Sequence, residues 1–176
     1  MPTWLTTSRR RPRVYLTLGT VSFGAVEVLR RALDDLVTLD VDVLVAVGPE
    51  GDPTALGDRG DRVHVERFVD QGVVLGRVDV VVHHGGTGTV LASAAAGVPQ
   101  LILPQGADQF RNVEVMGEQG SARALLREEQ RPGAVAAAVA ALVAEGPERA
   151  AARQLAVEIA AMPAPADVVE RLLAYA

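Results

Sequence analysis

The sequence predicts an α/β domain in which a doubly wound parallel sheet carries helices on both faces and ends in a helical tail. Between residues 13 and 126, short apolar runs alternate with stretches of helical spacing. Most of these runs are continuously apolar, which is typical of strands buried on both faces of a parallel sheet. After Arg131 only helical patterns follow, and 176 residues suffice for one domain with its own core.

Six runs are predicted to be strands because each is bounded by glycine, proline or other turn-forming residues. They are VYLTL (14–18), VDVLVAV (41–47), RVHVERF (62–68), VDVVVHH (78–84), QLILP (100–104) and ARALL (122–126). Helices are predicted over 25–36, 86–97 and 108–120, the second closed by Gly97. The helical tail is interrupted at EGP and MPAP. The first twelve residues hold two prolines and no periodicity, so we predict a linker over 1–12 and one domain over 13–176.

Composition excludes several classes of chemistry. All 17 basic residues are arginine, which removes a P-loop, a Schiff-base lysine and a lysine general base. The absence of cysteine removes disulfides and thiol nucleophiles and fits a cytoplasmic location. A net charge of −5 argues against nucleic acid as a partner, and no run is long and apolar enough to predict a membrane span.

The segment DVVVHHGGTGTVLASAAAGVPQ, from Asp79, carries the strongest functional signal. His83 and His84 close a strand, and ligands of doubly wound sheets bind beyond the carboxyl ends of strands. Residues 85–89 then open a helix, whose N-terminus offers unpaired N–H groups and partial positive charge. Glycines there let an anion approach the backbone, so we interpret 85–89 as a phosphate cradle. The alternative is a tight strand–helix turn in which glycine is needed only because a side chain would not fit.

Other phosphate and catalytic motifs do not fit. Leu91 stands where a dinucleotide fingerprint needs its third glycine, and no G-x-S-x-G elbow is present. Three histidines without H-x-x-x-H spacing predict no metal site.

The block HHGGTGTVLASAAAGVPQLILPQGADQFRN (83–112) resembles the donor-binding signature of inverting glycosyltransferases with the GT-B fold. It is most similar to the bacterial branch that decorates antibiotics and other natural products. RVYLTLGT resembles the first strand and phosphate loop of that family's C-terminal domain, a Rossmann-like half of the fold. VERFVDQGVVLGR resembles its base-recognition loop, and PAPADVVERLLAYA its closing helix.

The resemblance implies how a nucleotide sugar is held at its diphosphate. His83 would hydrogen-bond the diphosphate and stabilise the leaving group without a metal or cofactor, while His84 points elsewhere. The residues expected to grip the phosphate oxygens are Gly86, Thr87, Gly88 and Thr89, with Thr20 of the first loop on the opposite side.

The resemblance also implies a nucleobase site. Phe68 would lie near the base, the backbone of Val69 would read its edge, and Gln71 follows the family's glutamine. Asp70 replaces the common proline, which leaves the shape of this loop open. The alternative for Phe68 is a packing role in the core.

Two further positions concern the sugars. Asp108 and Gln109 match the pair that meets donor-sugar hydroxyls, although Asp108 is also a good helix N-cap. Leu91 stands eight residues after His83, where family members that use UDP-sugars place a glutamate for the ribose hydroxyls. A leucine at this position favours a dTDP-linked deoxyhexose over a UDP-sugar as the donor. The alternative is that Leu91 only faces the core.

The family places its acceptor site and general base in another domain, of similar size, that precedes this one. We therefore expect the chain to be the donor-binding half of a two-domain enzyme, inactive alone, with a natural-product acceptor. The alternatives are a natural subunit that needs a partner chain and a non-catalytic binding module. We also expect the isolated domain to self-associate through the face that the other domain would cover.

Overall fold

The computed structural model describes residues 5, 10–19 and 25–174 and shows the predicted doubly wound α/β fold. Six strands form one sheet in which every pairing is parallel. They are β1 (Arg13–Thr17), β2 (Asp42–Ala46), β3 (Val63–Glu66), β4 (Val80–His83), β5 (Gln100–Ile102) and β6 (Ala122–Ala124). The order β3-β2-β1-β4-β5-β6 puts the topological switch point between β1 and β4.

Seven helices are described, and one of them is absent from the sequence prediction. They are α1 (Ala25–Leu36), α2 (Gln71–Leu75), α3 (Thr87–Ala95), α4 (Gln109–Glu118), α5 (Ala134–Val143), α6 (Pro147–Ala160) and α7 (Pro165–Leu173). The additional helix is α2, which occupies the segment interpreted as a base-recognition loop. The predicted strands β2 to β6 are two or three residues shorter than their apolar runs, because ladder pairing ends before the apolar sequence does.

Alternate side chains of the strands enter different cores. Val14 and Leu16 of β1 belong to a cluster with α1 and α5 on one face. Tyr15, between them, belongs to a cluster on the other face that includes Val74 and Leu75 of α2. This period-2 alternation with burial on both faces explains why the strands read as continuous apolar runs.

The segment predicted as a linker is in part anchored to the domain. Leu5 is 2% exposed and packs in the cluster that contains Tyr15. The buried guanidinium of Arg13 donates from Nη1 to the Leu5 carbonyl at 3.0 Å. Residue 12 is therefore not a clean boundary between linker and domain.

The helical tail breaks where the sequence predicts, at EGP and MPAP. Every described residue of α7 is exposed, including Val168, Val169, Leu172 and Leu173. In the part of the chain that the structure describes, no helix is long and apolar enough to cross a bilayer.

Candidate functional site

The predicted phosphate-site residues that the structure describes lie at the carboxyl end of β4, which is the neighbour of β1 in the sheet. Thr17, at the end of β1, pairs in register with His83, at the end of β4. The chain then turns through Gly85, whose φ of 94° is the left-handed conformation that glycine adopts without strain. Thr20 lies outside the described residues.

His83 does not face this site, which corrects its predicted role. The side chain is fully buried, and both ring nitrogens are used inside the protein. Nδ1 accepts from the Gly85 N–H at 3.0 Å, so Nε2 carries the proton and donates to Gln100 Oε1 at 2.9 Å. Burial lowers the pKa of His83 to about 4, so the ring is neutral at pH 7 and has no donor left for a ligand.

His84, which we predicted to point elsewhere, is the histidine at the site. Its ring lies between Gly19 of the first loop and Gly86 of the phosphate cradle. A Cβ on Gly19 would lie 2.6 Å from His84 Cε1, and one on Gly86 would lie 2.5 Å from Nε2. Only glycine fits at either position without displacing the imidazole.

The surroundings of His84 determine its protonation state. Its Nδ1 is buried and has no hydrogen-bond partner among the described residues. Burial lowers the pKa of His84, and the negative charge of Asp108 partly opposes that shift. The imidazole is therefore neutral without ligand, and a nearby negative charge would favour its protonation.

The N-terminus of α3 has the arrangement expected of the phosphate cradle. Its N-cap is Gly86, which provides no side-chain cap. The N–H groups of Thr87, Gly88 and Thr89 therefore have no acceptor within the helix. Thr87 and Gly88 are exposed, whereas Thr89 is buried and its hydroxyl accepts from Gln71 Nε2 at 3.3 Å.

Two residues of the following helix organise the cradle. Thr87 Oγ1 donates to Asp108 Oδ2 at 2.9 Å. Asn112, which the sequence analysis did not select, donates from Nδ2 to the Gly85 carbonyl at 2.8 Å and to Thr87 Oγ1 at 3.1 Å. Asn112 is the last residue of the signature block, so the resemblance could have identified it.

Asp108 and Gln109 lie beside the cradle in different roles. Asp108 occupies the N-cap position of α4, but its side chain makes no capping hydrogen bond and turns towards Thr87. The side-chain carbonyl of Gln109 accepts from the backbone N–H groups of Gln105 and Gly106, at 2.7 and 3.1 Å. Gln109 therefore shapes the loop before α4, while Asp108 remains exposed.

A cavity of about 310 Å³ lies beyond the ends of β1, β2 and β3, and we call it the base-side cavity. Its lining includes Tyr15, Gly19, Pro49, Arg67, Phe68 and Val69. Phe68 is 73% exposed, so it is not a core residue, whereas the Val69 side chain is buried. Asp70 caps α2 by accepting from the Gly72 N–H at 2.9 Å, which gives the loop its shape without a proline.

A second cavity, of about 320 Å³, lies between α1 and the start of α5. None of the residues selected from the sequence lines it. The base-side cavity, which is continuous with Gly19, therefore corresponds to the predicted nucleotide site.

Leu91 is not brought to the base-side cavity. It is 59% exposed on α3 and absent from the cavity lining, so it does not face the core either. Ala92, one residue later and about 100° further around the helix, packs against the cluster that contains Val69. Counted from His84 instead of His83, position eight is Ala92.

The fold is a doubly wound α/β domain with its candidate site at the topological switch point of the sheet. The model of the family described as erythromycin biosynthesis protein CIII-like, C-terminal domain, matches residues 30–175. The chain belongs to this family, and its fold is that of the C-terminal domain of GT-B glycosyltransferases.

Individual relatives agree with that assignment. An L-demethylnoviosyl transferase of Streptomyces niveus is 37% identical over 179 residues, covering 99% of this chain and 47% of the relative. The calicheamicin glycosyltransferase CalG4 superposes with a TM-score of 0.87 at 26% identity, covering 94% of this chain and 43% of that one. The glycosyltransferase VinC, solved in complex with dTDP, superposes with a TM-score of 0.83 at 31% identity, covering 98% and 43%. The chain thus spans less than half the length of these proteins.

Proposed function

We propose that this chain is the donor-binding half of an inverting glycosyltransferase that moves a deoxysugar from a dTDP-sugar to a small natural-product acceptor. The observation that carries the proposal is the uncapped N-terminus of α3 with the His84 ring held between Gly19 and Gly86. The base-side cavity begins at the same Gly19. The dTDP complex of VinC supports the choice of nucleotide.

The proposed chemistry is electrostatic stabilisation of a leaving group. As the acceptor oxygen forms its bond to C1 of the sugar, the C1–O bond breaks and its electron pair passes to the diphosphate. The N–H groups of residues 87–89 and the imidazole of His84 would stabilise that growing charge. A base outside this chain would take the acceptor proton, so the chain alone would bind nucleotide without transferring sugar.

The preference for dTDP over UDP rests on missing acceptors for a ribose 2′-OH. Ala92 has no polar side chain, so a 2′-OH packed against it would be buried without a partner, at about 1–3 kcal/mol, whereas Leu91 is exposed to solvent. A deoxyribose avoids that loss. Asp108 remains the proposed partner of donor-sugar hydroxyls, because its carboxylate is exposed beside the cradle.

Calorimetric titration of the chain with dTDP and with UDP tests both parts of the proposal. We expect dTDP to bind more tightly, and we expect Ala92→Glu to narrow the difference more than Leu91→Glu, because Ala92 is on the side of α3 that faces Val69. If dTDP at millimolar concentration did not bind, the assignment of the nucleotide site would be overturned. Tighter binding of UDP would overturn the deoxyribose preference alone.

Sugar transfer is the second measurement. The purified chain, incubated with a dTDP-sugar and candidate acceptors, should give no glycosylated product. Measurable transfer by the chain alone would contradict the placement of the base in another domain or subunit.

A further inference from the structure

Arg67 is an exposed cation on the wall of the base-side cavity that the proposed chemistry does not use. It follows β3 directly, and its guanidinium makes no hydrogen bond or ion pair within the described part of the chain. The resemblance on which the other site residues rest assigns it no role.

Two acidic side chains near Arg67 accept hydrogen bonds from other groups. Asp70, which lines the same cavity, accepts from the Gly72 N–H. Asp52 accepts from the N–H and the hydroxyl of Thr54, at 2.9 and 2.7 Å. These two hydrogen bonds are the main causes that lower the pKa of Asp52, and the charge of Arg67 is the last. The five N–H donors of the guanidinium are therefore available to a ligand.

The sheet order places Arg67 far from the phosphate cradle. The cradle follows β4 and faces β1, whereas Arg67 follows β3, the edge strand. Adjacent strands are about 4.8 Å apart, so β3 lies about 10 Å from β1 and about 14 Å from β4. A nucleotide with its diphosphate on α3 thus directs its base towards Arg67.

We propose that Arg67 determines nucleobase specificity by donating a hydrogen bond to the carbonyl oxygen O4 of the pyrimidine. This inference rests on the proposed nucleotide site. The pyrimidine joins its sugar at N1, with O2 adjacent, so O4 is the polar atom farthest from the diphosphate. Arginine has donors and no acceptor. It therefore favours thymine and uracil, which have a carbonyl at position 4, over cytosine, which has an amino group there.

Two nucleotides without the thymine methyl group give a matched pair of probes, dUDP and dCDP. They share deoxyribose and diphosphate and differ only in the edge of the base at positions 3 and 4. We expect the unaltered chain to bind dUDP more tightly. In Arg67→Ala, dUDP binding should weaken by about tenfold, the usual scale for a hydrogen bond to a charged donor, with dCDP nearly unchanged. Arg67→Lys, which keeps a charged donor, should restore part of the preference.

The ratio of the two affinities isolates Arg67, because backbone contacts to the base are the same in each variant. Arg127→Ala is the matched control: it removes one exposed arginine after β6, away from the cavity, and should leave the ratio unchanged. The exposed, uncontacted Arg67 side chain predicts an unaltered Tm in its variants, which thermal unfolding checks.

The outcomes separate this inference from the proposed function. Equal weakening of both nucleotides in Arg67→Ala would show that the residue acts on their common diphosphate or sugar and would overturn base reading. Unchanged affinities would show a solvated side chain and would also overturn it. If neither nucleotide bound the unaltered chain, the proposed nucleotide site would be overturned, and so would the proposed role of Arg67.

Discussion

Replacing each of the two adjacent histidines with alanine should have opposite consequences. The His84 ring lies beside the phosphate cradle with Nε2 close to Gly86, so His84→Ala removes a nitrogen available to a phosphate oxygen. A hydrogen bond of this charge-assisted kind contributes about 1.5–3 kcal/mol, which corresponds to about 10- to 150-fold in dTDP affinity. The ring is half-buried, and the fold should survive its loss.

His83→Ala should instead reduce stability. It removes a fully buried ring, leaves Gln100 Oε1 and the Gly85 N–H without partners, and opens a cavity. One buried unsatisfied group costs about 1–3 kcal/mol, so a Tm several degrees lower is expected for a chain of this size. The resemblance implies the larger functional effect for His83, whereas the geometry predicts it for His84.

The assay is dTDP titration at a temperature where unfolding curves show both variants folded. Gln100→Leu is the control, because it breaks the same buried pair without touching His84 and should lower the Tm with little effect on affinity. The reasoning is refuted if His84→Ala binds dTDP normally, or if His83→Ala, while folded, loses more affinity than His84→Ala does.

Three further outcomes are expected. Because a bound diphosphate favours protonated His84, dTDP affinity should rise as the pH falls through the pKa of the imidazole in the complex. In His84→Ala, dTDP affinity should depend less on pH, and the remaining dependence should come from the protonation of the nucleotide itself. The pKa of His83 is about 4 in the folded state and 6.5 in the unfolded state, so the unfolded chain binds more protons between those pH values. The free energy of unfolding should therefore fall as the pH drops from 6.5 towards 4, by up to roughly 1.4 kcal/mol per pH unit. Denaturant titrations at several pH values should show that His83→Ala lacks this component. The exposed stripe of α7 should make the chain self-associate, and light scattering should find Leu172→Glu with Leu173→Glu more monomeric; a monomer at every concentration of the unaltered chain would contradict this.

Much of the fold could be predicted because the four central strands, β1, β2, β4 and β5, are buried on both faces and are therefore predominantly apolar. Helix α2 was missed for the converse reason. Five residues are too few to show a 3.6-residue period, and its start depends on the single cap by Asp70. Nothing in the surrounding residues marks Leu5 as a core residue, because its burial depends on a contact with the Arg13 side chain and a distant cluster.

The location of the site could be predicted, but the assignment of the two histidines could not. Both close the same apolar run, and the turn glycines follow immediately. Only the ladder distinguishes them: His83 is still paired with Thr17 of β1, and its carbonyl accepts from the Leu103 N–H at 2.7 Å, so its side chain stays in the core. His84 is the first residue beyond the strand. Counting from His84 instead of His83 would move the proposed ribose position from Leu91 to Ala92.

The burial of Leu5 limits where this domain can be cut and joined to another. Leu5 shares a packed cluster with Tyr15 and Val69, both of which line the base-side cavity. A hybrid enzyme whose splice point lies at Arg13 would discard Leu5 and leave an apolar hole behind that wall. Splicing ahead of residue 5 keeps the wall supported, so hybrids with junctions on either side of Leu5 should differ in nucleotide affinity even though their remaining sequences are identical.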